Sequence, residues 1–124
     1  MIRERRSVSR FDSKNLIAYV CLDENNQKSR QGMGRTLNIS EQGILLETRI
    51  PMEPDSSIAI TIALEEELMD IDGRIAFSNK MGDGIYETGV HFNKPDEEKR
   101  RFLRQYITIF REQEHSTGVR DNVG

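Results

Sequence analysis

The sequence predicts a mainly β domain: a six-stranded antiparallel β-barrel of the split kind, closed by a C-terminal α-helix. Three observations predict it. Apolar residues alternate with a period of two through most of residues 16–92, turn-forming residues punctuate that stretch, and the period switches to about 3.6 after Phe92. The 124 residues suffice for one domain with one modest core.

Each element has its own warrant. Residues 1–13 are polar and charged with no apolar periodicity, and read as an N-terminal arm that stays mobile unless something ties it down. From Lys14 the pattern changes. Leu16, Ala18, Val20 and Leu22 alternate with Ile17, Tyr19 and Cys21, as in a strand buried on at least one face. A polar loop follows through Asp23-Glu24-Asn25-Asn26. Met33–Ile39 reads as the second strand and Gly43–Thr48 as the third. Their link, Ser40-Glu41-Gln42-Gly43, is expected to be a turn or bulge, with Gly43 free to take positive φ. Beyond Pro51 and Pro54, Ser57–Leu64 alternates cleanly, with Ile58, Ile60, Ile62 and Leu64 on one face. Residues 68–78 give a fifth strand with a kink expected at Gly73. Met81-Gly82-Asp83-Gly84 is a hairpin turn, and Ile85–Phe92 returns.

Asn93 then suits a helix cap and Pro95 the first helical position, while Asp96, Glu97 and Glu98 favour the positive end of the helix dipole. Phe102, Tyr106 and Phe110, flanked by Leu103 and Ile107, make one apolar stripe that should dock on the barrel. The helix is expected to end near Glu114. The domain then spans residues 14–114, and residues 115–124 form a frayed tail.

Composition narrows the functional classes. The net charge is −3, which argues against a general DNA or RNA binder working through a whole-molecule positive field. The charge is uneven, however. Residues 1–10 carry Arg3, Arg5, Arg6 and Arg10 against Glu4 alone, a local trap for a small anion, whereas acids gather at Glu65-Glu66-Glu67, Asp70, Asp72 and Asp96-Glu97-Glu98. The single cysteine, Cys21, excludes an internal disulfide and a multi-thiolate metal site, and reads as a small core residue. Two separated histidines, His91 and His115, offer no metal cluster; His91 should face outward between Val90 and Phe92. No apolar run reaches the length of a signal peptide core or a membrane span, so the expected location is the cytoplasm. Asp70 and Asp72 share a strand face, but nothing desolvates one of them for acid–base work.

Two short motifs carry the chemistry. The first is Arg5-Arg6-Ser7-Val8-Ser9-Arg10, containing Arg-x-x-x-Arg as Arg6 and Arg10. A guanidinium fork pairs two acceptors at once, on a phosphate or on the O6/N7 edge of guanine, and its flat face stacks on a purine. The spacing alone is weak, since Arg100 and Arg104 repeat it on the helix. The second is Asn38-Ile39-Ser40-Glu41-Gln42-Gly43, an Asn-x-Ser-x-x-Gly arrangement at a strand end. Asn38 and Ser40, two apart, should point to the same side and offer amide and hydroxyl groups, and Gly43 should let a ring or phosphate approach the backbone. Ordinary turn chemistry is the plainer account of Asn, Ser and Gly at a strand end. The order of the motifs, separated by one strand and a loop, is what raises the signal.

With these motifs the sequence resembles the PilZ domain family, bacterial receptors for cyclic di-GMP. The resemblance runs from Arg5 to about Phe110 and includes Gly43–Thr48 after the second motif, Gly73-Arg74-Ile75, and Gly89-Val90-His91-Phe92 before the helix. It implies a receptor without catalytic activity, standing alone, that needs no cofactor and takes cyclic di-GMP as its ligand. Arg6 and Arg10 would hold phosphate and guanine with help from Arg5. Asn38 and Ser40 would read the guanine edge, Gly43 would allow close approach, and Phe77 would lie against a base. The motif opens with Asn38 where Asp is commoner, exchanging a carboxylate acceptor for an amide. Binding would order the arm on the barrel and change the surface seen by a downstream protein partner. Two other readings compete: a ligand-independent interaction module of the same fold, and a small barrel for single-stranded nucleic acid, for which a row of aromatic stacking platforms is missing.

Overall fold

Six strands and one helix follow one another as β1 (Leu16–Leu22), β2 (Lys28–Ile39), β3 (Gly43–Thr48), β4 (Ser57–Leu64), β5 (Glu67–Gly82), β6 (Ile85–Phe92) and α1 (Glu97–Val123). The structure, a computed structural model, describes the chain from Leu16 to Val123, with side chains as far as Gln113. Arg5, Arg6 and Arg10 therefore lie outside the described residues, as does the expected boundary of the arm at residue 13.

All pairings are antiparallel and the sheet closes in the order β1-β2-β3-β6-β5-β4. Each strand thus has two neighbours, although β2 and β5 meet theirs mostly over different halves of their length, which limits the exposed sheet edges among the described residues. The long β5 bridges the two halves: residues 67–74 pair with β4 and residues 73–82 with β6. Alternation decides what faces inward. Ile17, Tyr19 and Cys21 of β1, Ile58, Ile60 and Ile62 of β4, and Ile44 and Leu46 of β3 are buried. Each such isoleucine or leucine withdrawn from water contributes roughly 1.5–3 kcal/mol. The stripe of α1 supplies Phe102, Leu103, Tyr106, Ile107 and Phe110 to the same core. Inside the barrel the Tyr106 hydroxyl meets that of Thr36 at 3.2 Å, so the one polar end of a buried aromatic is satisfied.

A chain of hydroxyls ties the β3–β4 loop to the wall. The Met52 N–H donates to Ser78 Oγ (3.1 Å), Ser78 Oγ lies 2.9 Å from Thr88 Oγ1, and Thr88 Oγ1 lies 3.0 Å from Thr48 Oγ1. Thr48 spends its proton on the Ile50 carbonyl at 2.9 Å. Its bond to Thr88 is therefore accepted, which sets the whole direction: Ser78 donates to Thr88 and Thr88 to Thr48.

Several boundaries differ from expectation. β2 begins at Lys28, ahead of Met33, because backbone pairing with β1 (Leu22↔Lys28, Cys21↔Arg30) continues over polar residues that give no apolar signal. β5 runs on to Gly82 through Asn79↔Glu87 and Lys80↔Tyr86 for the same reason. Gly73 is not a kink; it pairs regularly with Ile58 and Phe92. Asn93 does not cap the helix. Its N–H continues the sheet by donating to the Asp72 carbonyl (2.9 Å), and Asp96 caps instead, its Oδ1 accepting from the Lys99 N–H at 2.9 Å. The helix continues past Glu114 to Val123: no proline intervenes, and Gly118 costs only about 1 kcal/mol relative to alanine.

Candidate functional site

Two β-bulges build the site. In β2 the inward positions are Gly34 and Thr36, and unbroken alternation would send Asn38 inside as well. The register instead slips between Thr36↔Leu46 and Asn38↔Leu45, so Leu37 is the extra residue, Ile39 turns in and Asn38 turns out. In β5 the same thing happens between Ile75↔Val90 and Phe77↔Gly89. Ala76 is extra, and Phe77 stands 39% exposed while Ile75 is buried. Each bulge thus moves one polar or aromatic side chain from the core to the outer wall.

The register then aligns them. Asn38 pairs with Leu45, Leu45 with Gly89, and Gly89 with Phe77, which makes one cross-strand row over β2, β3, β6 and β5. Along this row lies a shallow concavity of about 280 Å³ that Asn38, Ser40, Gly43 and Phe77 all line. The structure therefore brings together the four expected site residues that it describes. Leu45, Gly89 and His91 also line it. Their participation follows from cross-strand register, which local periodicity does not contain.

Ser40 lies just beyond the end of β2 rather than on it, and the bend it opens is pinned from both sides. The Ser40 N–H donates to the Gly43 carbonyl (2.9 Å) and the Phe92 N–H to the Gln42 carbonyl (2.8 Å). Asn38 Oδ1 accepts from the Ile39 N–H at 2.9 Å, which leaves the Nδ2 donors as what the side chain offers a ligand. Ser40 Oγ accepts from the Gln42 N–H at 3.2 Å and donates to Gln42 Oε1 at 3.3 Å, an exposed and long contact.

Gly43 has a different reason from the one expected. Among described glycines only Gly84, in the β5–β6 turn, has positive φ. At Gly43, paired with His91, a β-carbon would collide with the Val90 carbonyl oxygen, so close approach of β6 is what requires glycine. The same missing β-carbon leaves the wall bare between Ser40 and His91.

Charges frame the concavity. Glu41, inside the motif, pairs with Arg104 of α1 at 3.2 Å, and Arg35 pairs with Glu47 at 2.7 Å in the neighbouring row. Cys21 is buried with its Sγ 3.9 Å from Met52 Sδ, and burial pushes the thiol up from its ordinary value, away from the reactive thiolate. Among the described residues no three His, Cys, Asp or Glu side chains gather to hold a metal, and no helix is long and apolar enough to cross a membrane.

Known proteins share this architecture. The PilZ domain of CeSA from a cellulose-synthesizing bacterium superposes with a TM-score of 0.54 at 14% identity, covering 79% of this chain and 95% of its own. K. pneumonia MrkH in its apo state gives a TM-score of 0.56 at 14% identity, covering 84% of this chain and 49% of its own. At that identity the likeness is one of fold. No curated protein matches the chain. The model of the PilZ domain matches residues 4–108. That match takes in both the arginine segment and the turn that shares a concavity with Phe77, and the chain belongs to the PilZ domain family.

Proposed function

We propose that this protein is a non-catalytic receptor for cyclic di-GMP, and that the ligand sits on the barrel wall along the Asn38–Leu45–Gly89–Phe77 row. The observation that carries the reading is the paired bulges: two register slips, in strands not adjacent in sequence, turn Asn38 and Phe77 out of the core towards one concavity. At Phe77 the slip sacrifices apolar burial, leaving the ring 39% exposed with no return in stability, and it does so over the same shallow hollow that Asn38 lines.

The chemistry fits guanine. The Nδ2 donors of Asn38, without a partner among the described residues, suit its O6 and N7 acceptors, the Phe77 face offers a stacking platform, and Gly89 beneath it keeps the floor low. The phosphates need cations that the hollow itself lacks, and Arg5, Arg6 and Arg10 are the segment suited to supply them. Bringing that segment onto the wall rewrites the surface around the site, which is how a receptor of this size signals to a protein partner.

Isothermal titration of the whole chain with cyclic di-GMP tests this. Binding should be measurable for the wild type, weakened about ten- to a hundredfold by Arg10→Ala, which loses a charge-assisted contact, and about two- to tenfold by Ser40→Ala, which loses a neutral one. Absence of heat with the wild type at high micromolar ligand contradicts it.

A further inference from the structure

The Ser40–Gly43 turn has a second hollow on its other side. Glu41, Gln42, His91, Phe92, Lys94, Pro95 and Arg100 line it, with a volume of about 330 Å³. That is at the lower end of small-ligand sites, roughly 300–1,000 Å³. His91 belongs to both hollows, so the turn and the imidazole form a party wall between them.

Its lining is cationic in a chain of net charge −3. Lys94 and His91 are exposed, and their side chains have no hydrogen-bond or ion-pair partner among the described residues. Arg100 has one, Glu97 at 3.8 Å, with the two side chains 47% and 66% exposed, a weak and easily exchanged pair. The single acid of the lining, Glu41, pairs with Arg104 of α1 at 3.2 Å, so its charge is offset by a cation outside the lining. His91 is flanked in register by Gly43, which has no side chain, and by Arg74, whose guanidinium Nη1 donates to the Asp55 carbonyl at 2.9 Å. The helix terminus is not the source of the charge: one of its N–H groups is already taken by Asp96 Oδ1, and its first turn carries Glu97 and Glu98.

We propose that Lys94 and Arg100, with His91, form a phosphate-binding site across the motif turn from the guanine hollow. A phosphate diester offers acceptor oxygens to a guanidinium fork and an ammonium group at once. The phosphate has two candidate sources: a bound cyclic dinucleotide reaching over the turn, or a separate phosphate-bearing metabolite. The first rests on the receptor reading above; the second does not.

Amide NMR spectra of the whole chain test it, with cyclic di-GMP, 5′-GMP and inorganic phosphate as probes, on the wild type and on the Lys94→Ala/Arg100→Ala double variant. Both substitutions are at exposed positions. If the dinucleotide supplies the phosphate, cyclic di-GMP moves the amides of Lys94 and Arg100 as well as those of Asn38, Ser40 and Gly43. The double variant then weakens its binding about tenfold or more. If a separate metabolite supplies it, GMP or phosphate moves the Lys94 and Arg100 amides in the wild type and not the corresponding amides in the variant. The proposal is overturned when no probe loses affinity in the double variant. Failure of the receptor reading looks different: cyclic di-GMP then leaves Asn38, Ser40 and Gly43 unmoved, and the GMP and phosphate titrations alone decide the groove.

Discussion

The ring of Phe77 covers Gly89 so closely that a β-carbon on Gly89 would come within 2.5 Å of it. The two are register partners on β5 and β6, the aromatic filling the space the glycine leaves. Phe77 is 39% exposed and can swing outward. Gly89→Ala should therefore cost little stability, under about 1 kcal/mol, near the low end for overpacking. It should still displace the ring and weaken cyclic di-GMP binding. Urea unfolding and calorimetry on the same variant separate the two effects.

Gly43→Ala should behave in the opposite way. Its β-carbon meets the Val90 carbonyl, part of the sheet, which cannot move aside without opening the β3–β6 pairing. A loss of about 1–3 kcal/mol is expected in urea. Ligand binding lost in this variant would then report a distorted wall and not a missing contact.

The hydroxyl chain from Ser78 through Thr88 to Thr48 makes Thr88 its central link. Thr88→Val keeps the shape, deletes that link and leaves both neighbours one bond short. Stability should fall by about 1–3 kcal/mol. Thr88→Ser, which restores the hydroxyl and removes only a methyl, should recover part of that in the same urea assay.

Alkaline pH should destabilise the barrel. Burial raises Cys21, Tyr19 and Tyr106 above their ordinary values of 9.0, 10.0 and 10.0, the Thr36 hydroxyl opposing this in part at Tyr106. The unfolded chain loses these protons first, so it binds fewer protons than the folded one in that window, and stability falls as pH rises from the ordinary values towards the raised ones. The unfolding midpoint should be flat with respect to these groups below the ordinary thiol value and decline above it. Tyr106→Phe should flatten the decline.

The barrel was legible in the sequence because its inward faces alternate: Ile58, Ile60 and Ile62, or Phe102, Tyr106 and Phe110, announce their elements directly. The polar start of β2 and the end of β5 were not, since pairing there is carried by the backbone and leaves no trace in side-chain type. The motif Asn38-x-Ser40-x-x-Gly43 marked the site, yet strict alternation would have buried Asn38 beside Thr36 and Phe77 beside Ile75. Single-residue slips at Leu37 and Ala76 reverse both, and nothing in either residue type signals a bulge. The positive φ that the sequence suggests for Gly43 is absent, and the demand on it is steric, because the strand that crowds it, β6, lies more than forty residues away in sequence.

A crystal structure of the whole chain with cyclic di-GMP would show where on the barrel the nucleotide sits. The expected result is a guanine over Phe77 and Gly89, the Asn38 amide donating to its edge, and guanidinium groups from Arg5, Arg6 or Arg10 on the phosphates. A nucleotide bound on another part of the barrel, with Asn38 and Phe77 facing only water, would contradict it.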